Sequence, residues 1–177
     1  MANFVLVHGG WRGGWVWKRV ARLLRTAGHD VFTPTLTGLG ERSHQLNAGV
    51  NLSAHILDIV NLIKFEELND VILCGHSYGG SVITGVADQL HERISALVYI
   101  DAFVPEDGDS ILSLLPEAFL LPTVKGVAGN GGYGVPPIPP EDHKVNEQDL
   151  EWVKKMCTPH PLAAMTEVFG STENILR

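Results

Sequence analysis

Gly75-His76-Ser77-Tyr78-Gly79 is the segment that most restricts what this chain can become. An apolar run, Val71 to Cys74, precedes it, and a helical pattern, Tyr78 to Leu90, follows it. A serine on so sharp a strand-to-helix turn takes strained backbone angles, and glycine two residues to either side avoids collision. Such a turn lifts the hydroxyl above the carboxyl edge of a sheet and aims a helix N-terminus at it. Ser77 is therefore the candidate nucleophile; the plainer alternative is a glycine-rich turn carrying an unreactive serine.

The surrounding chain supplies the sheet that this turn needs. Phe4 to Val7 reads as a strand buried on both faces. Val16, Val20, Leu23, Leu24 and Ala27 then recur at helical spacing up to a stop at Gly28. Asp30 to Thr33 predicts a second strand, and Thr35 to Val50 a polar loop. Leu52, Ile56, Ile59, Val60 and Ile63 form one helical stripe, and Ala96 to Ile100 predicts another strand. Strands alternating with helices of ten or more residues imply βαβ units, a doubly wound and mostly parallel sheet, and helices on both faces. Residues 1–104 read as this α/β core and 105–177 as a helical cap, with helices expected at Glu147–Cys157 and Pro161–Phe169. Residues 126–140 hold five glycines and four prolines, an irregular loop without the lysine and serine or threonine of a phosphate loop.

Composition excludes several functions. With 177 residues, one domain is expected; 45% hydrophobic and 19% charged residues describe an ordinary globular chain. A net charge of -7, with no more than two adjacent basic residues, argues against nucleic-acid binding. Cys74 and Cys157 cannot build a disulfide framework or a cysteine-based zinc site, so no metal is expected. Ile111 to Leu121 is too short to cross a bilayer, and Met1-Ala2-Asn3-Phe4 lacks a basic leader region. A cytoplasmic protein without a membrane partner is the expectation. Asn51-Leu52-Ser53 matches a glycosylation sequon, read here as coincidence.

A second motif, His8-Gly9-Gly10, follows the first strand directly. A developing oxyanion needs two preorganised N–H donors about 3 Å away. The backbone N–H groups of Gly10 and Tyr78 are the candidates, with His8 read as a loop-fixing hydrogen-bonder and not as a base. The two motifs, with Trp11, Gly13-Gly14-Trp15 and Pro34-Thr35-Leu36-Thr37-Gly38-Leu39-Gly40, resemble the α/β-hydrolase superfamily. The likeness is greatest to its small-esterase branch of plant methylesterases, hydroxynitrile lyases and bacterial pyrethroid-hydrolase-like esterases. Tyr99-Ile100-Asp101-Ala102-Phe103-Val104-Pro105-Glu106-Asp107-Gly108 looks like that branch's junction between strand and cap.

The resemblance implies serine-dependent hydrolysis of a small-molecule ester, without metal or organic cofactor. It also implies an acid and then a histidine after the serine, on loops following two further strands. Neither strand is visible before Arg177, so a complementing C-terminal segment is expected, or a second copy pairing with the open edge at Ala96–Ile100. Asp101 stands where some relatives place the acid, though a loop-orienting hydrogen bond is its plainer role. His143 and His160 read as surface or capping residues, and His29, His44, His55 and His91 as solvated ones. Trp11, Phe103 and Trp152 are candidates for an apolar substrate pocket, or for ordinary packing. A hydroxynitrile lyase is the second reading, disfavoured because Gly9 stands where plant lyases carry threonine or asparagine; a non-catalytic ligand-binding module is the third.

Overall fold

The computed structural model describes residues 1–117, 125–129, 131–143 and 145–170, with the side chains of Pro140 and His143 excepted. Four strands form the main sheet: β1 (Asn3–Val7), β2 (Asp30–Phe32), β3 (Val71–Ser77) and β4 (Ile94–Ala102). Their order is β2-β1-β3-β4, and every pairing is parallel. Three helices cross between them: α1 (Lys18–Thr26), α2 (Leu52–Phe65) and α3 (Gly79–Leu90).

Alternation along the strands divides the core into two layers. Val5 and Val7 of β1, with Val71 and Leu73 of β3, pack beneath α2 and α3. Leu6, Val31 and Cys74 face the other way, onto Trp17 and Ala21. The helix pattern is in part reassigned. Val16 and Leu24 of the expected stripe make the contact, whereas Val20, Leu23 and Ala27 are exposed and Trp17 and Ala21 pack in their place. The segment opens with a 3-10 turn at Gly14–Trp17, whose three residues per turn rotate the packing face relative to a continuous α-helix.

After residue 105 the described residues include the short helices α4 (Ile111–Leu114), α5 (Leu150–Met156) and α6 (Leu162–Thr166). A two-stranded antiparallel ladder, β5 (Gly134–Val135) with β6 (His160–Pro161), joins the glycine- and proline-rich segment to the start of α6. The helix expected over Pro161–Phe169 is thus a strand pair followed by five helical residues. α6 is tied to α2 by Glu167, whose carboxylate accepts from Ser53 N–H (2.8 Å) and Ser53 Oγ (2.6 Å). Asn51 of the sequon caps α2, its Oδ1 accepting from Ala54 N–H at 2.9 Å. β4 is the sheet edge, with Val98 and Ile100 37% and 41% exposed.

At Gly79 and Gly80, where α3 leaves the turn after β3, there is no room for a side chain. A Cβ on Gly79 would stand 2.8 Å from the carbonyl oxygens of Val7 and His8. One on Gly80 would overlap the Phe103 carbonyl oxygen and lie 2.8 Å from Ala102 Cβ. Alanine improves helix propensity by up to about 1 kcal/mol. Overpacking against backbone costs about 1–3 kcal/mol, so the clash wins. Gly80→Ala is expected to destabilise the chain by about 2 kcal/mol, read as a lower urea midpoint with an unchanged slope.

Candidate active site

Ser77 ends β3 with φ at +52°, in the left-handed region that non-glycine residues rarely occupy. α3 begins two residues later, so its unpaired N–H groups lie beside the serine. The junction of β4 with the following chain is irregular at the same level. Ser77 pairs with Ala102 and His76 with Ile100, leaving Asp101 as an extra residue at φ +42°.

The loop after β1 closes the other side. A Cβ on Gly9 would stand 2.9 Å from His76 Nδ1 and 3.0 Å from Ser77 Cβ, so this backbone lies against the serine. Trp11 turns the loop at φ +62° and fastens it to the later chain. Its indole N–H donates to the Val135 carbonyl at 3.0 Å, and its own carbonyl accepts from Thr158 N–H at 2.9 Å.

Gly10, Trp11, Ser77, Tyr78 and Phe103 share one small cavity of about 170 Å³. Ile111, Leu115 and Met165 add apolar walls, and among the described residues His160 is the remaining titratable lining residue besides Tyr78. Five of the residues singled out from sequence therefore converge. Two others do not. Asp101 is exposed in its bulge, outside the cavity lining. Trp152 packs edge-to-face on Trp15, ring centroids 4.9 Å apart, with the Arg19 guanidinium 5.4 Å from its ring. The Arg19–Asp149 ion pair closes that separate cleft, so Trp152 belongs to surface packing and not to the Ser77 cavity.

Three buried histidines support the site. His8 Nδ1 donates to the Gly9 carbonyl at 2.8 Å, and Nε2 accepts from Leu36 N–H at 3.1 Å. That is the loop-fixing role its position suggested. His55, expected to be solvated, is fully buried within α2. Its Nε2 lies 2.8 Å from the Thr37 carbonyl, which can only accept, so Nδ1 accepts from the Tyr78 hydroxyl at 2.8 Å. His160, expected at the surface, is also fully buried; its ring meets Tyr78 edge-on at 4.5 Å. Its backbone pairs with Val135 of β5, and two residues earlier Thr158 N–H is bonded to Trp11, which draws the segment into the interior. The side chain of His143 lies outside the described residues. His44 and His91 are exposed, and His29 is half-buried against Phe4.

Burial keeps all three imidazoles neutral. His8 is lowered to about 4, chiefly by desolvation and only partly offset by its bond to Gly9. His55 is lowered by the same cause, and His160 is held well below 6.5, with His55 and His8 adding to the effect. Burial likewise pushes the Cys74 thiol up to about 11, making it an inert core residue. Among the described residues no group of histidine, cysteine and carboxylate side chains could hold a metal.

The alpha/beta hydrolase family model matches residues 4–174. The chain belongs to that family. It is 50% identical over 173 residues to a carbendazim hydrolyzing esterase of Nocardioides sp. (strain SG-4G), covering 92% of this chain and 71% of that one. An alpha-hydroxynitrile lyase of Arabidopsis thaliana is 33% identical over 105 residues, 59% of this chain and 41% of the lyase. Among solved structures, an extracellular alpha/beta-hydrolase from a Paenibacillus species superposes with a TM-score of 0.87 at 31% identity, over 96% of this chain and 71% of its own. That hydrolase is described as sharing structural and functional homology with tobacco Salicylic Acid Binding Protein 2. No described helix is long and apolar enough to cross a membrane.

The neutral histidines make stability depend on pH. Unfolded histidine takes a proton near 6.5, whereas folded His8 resists it down to about 4. Stability is therefore retained above 6.5 and lost as pH falls through that window, by about 3 kcal/mol for His8 alone. His55 and His160 act in the same direction. Urea midpoints measured from pH 7.5 to 5 should fall steadily, with a shallower slope in His8→Gln.

Proposed function

We propose that this chain carries the nucleophile and oxyanion side of a serine esterase acting on small, largely apolar carboxylic esters. The observation that carries the reading is the placement of Ser77. It stands in strained backbone at the start of α3 and opens into an apolar cavity beside the Gly10 loop. In this reading Ser77 Oγ attacks the ester carbonyl carbon. The Gly10 and Tyr78 N–H groups hold the oxyanion, and collapse expels the alcohol, leaving an acyl-enzyme that water hydrolyses. Carbamates and amides present the same electrophile. The segment after residue 105 acts as the cap, and Trp11, Phe103, Ile111, Leu115 and Met165 shape the acyl site.

A serine hydroxyl needs a base to take its proton. Asp101 is turned to solvent, and His160 has no carboxylate hydrogen-bonded to it among the described residues. We place the base and its acid outside the described residues. Lyase chemistry is disfavoured in this loop, because a side chain at Gly9 would meet His76 and Ser77 at 2.9–3.0 Å.

A fluorophosphonate probe followed by intact mass tests the assignment. One adduct is expected on the protein, and none on its Ser77→Ala variant. An unlabelled protein would overturn the reading, and a labelled Ser77→Ala variant would remove Ser77 as nucleophile.

A further inference from the structure

Among the described residues that line the cavity, His160 carries a polar side chain that the proposed chemistry leaves unused. It is fully buried, and neither ring nitrogen has a hydrogen-bond partner among the described residues. Its neighbours are ring faces and edges: Tyr78 at 4.5 Å, Trp11 at 6.0 Å and His55 at 6.1 Å between centroids. His55 cannot serve it, since both its nitrogens are committed to Tyr78 and Thr37. A buried imidazole with two unmatched nitrogens costs stability that leucine at the same place would not. Structures keep such a group where something else meets it, and His160 lines the same cavity as Ser77.

Its position says what that something is. A Cβ on Gly10 would lie 3.6 Å from His160 Nδ1, so the imidazole flanks the proposed oxyanion loop. A carbonyl held over Ser77 would lie in the cavity that His160 borders beside Gly10, with Phe103 and Ile111 among its apolar walls. We propose that His160 is a substrate-binding residue that selects carbonyl substrates carrying an N–H or O–H on the atom next to the scissile carbonyl. A neutral imidazole has one lone pair to accept that hydrogen and one N–H to offer a second polar atom. Burial holds His160 well below 6.5, so this form persists at neutral pH. Specificity built this way is strong, because an analogue lacking the donor leaves the buried nitrogen unmatched. The inference rests on the esterase reading insofar as the cavity is taken to hold the carbonyl.

Binding to the Ser77→Ala chain, followed by titration calorimetry, tests this without turnover. Three probes share a phenyl ring and a methyl ester: methyl N-phenylcarbamate, methyl mandelate and methyl phenylacetate. They place N–H, CH–OH and CH2 beside the carbonyl. At least one of the first two should bind ~10-fold or more tightly than the phenylacetate, and which one separates nitrogen from oxygen donors. His160→Leu should abolish the preference, leaving phenylacetate affinity within about twofold. His160→Gln keeps a shorter polar side chain there and should reduce the preference at least about threefold. The inference is overturned if neither donor probe is preferred. It is also overturned if the preference survives in His160→Leu or, should that variant not fold, is unchanged in His160→Gln. Failure of the esterase reading looks different: Ser77 stays unlabelled by the fluorophosphonate while the probe preference stands.

Discussion

The close approach of the first turn of α3 to the strands on either side of β3 is the contact from which the rest of the site follows. Gly79 lies against the last carbonyls of β1, and Gly80 against Phe103 just beyond β4. A helix axis can come so near three parallel strands only if its first residues have no Cβ. Gly75 obeys the same rule, since its Cβ would be 2.5 Å from the Gly79 carbonyl oxygen. With the helix drawn in, the chain has one residue in which to reverse, and Ser77 takes the left-handed angle that this demands. The strain is local and is offset by the packing of α3 on the sheet, where Val82, Ile83 and Val86 are fully buried. The serine's exposure above the sheet is thus a consequence of helix–sheet packing.

A second layer of constraint is polar. The loop after β2 would be free to move over the site, but His8 holds Leu36 and His55 holds the Thr37 carbonyl. Asp58 takes both the N–H (2.7 Å) and the hydroxyl (2.9 Å) of Thr37. His55 also receives the Tyr78 hydroxyl, so the residue after Ser77 is fixed at both its backbone and its ring. These bonds are buried or partly buried, where an unmatched partner is expensive, and they make the geometry around Ser77 rigid in a way that apolar contacts alone would not.

This division explains what was legible in the sequence. The strand–helix alternation, the Ser77 turn and the His8 loop were readable because each is local: apolar runs, glycine spacing, motif order. His55 was misread, although a signal was present. It lies three residues after Leu52 and four before Ile59, on the very stripe that identified α2. A polar residue on an apolar stripe is buried with a partner. His160 offered no such signal. Pro159 and Pro161 flank it, and the pairing that buries it joins residues about 25 positions apart through two-residue strands that carry no periodicity. Trp152 had the composition of a pocket residue, but its partners Trp15 and Arg19 come from the distant N-terminal helix, which sequence spacing does not reveal.

The electrostatics of the cavity follow from these placements. Desolvation leaves His8, His55 and His160 uncharged, and Asp101 stands outside in water. The fixed field over Ser77 then comes from backbone N–H groups at the start of α3 and from the glycine loop, in walls of low polarity. A dipolar field of this kind favours negative charge without trapping an anion, because no counter-ion must be displaced first. On the esterase reading proposed above, a cationic histidine in the same wall would bind carboxylate product and hold it there. On that reading, neutral imidazoles leave the cavity suited to a neutral carbonyl ligand and to charge that exists only in passing.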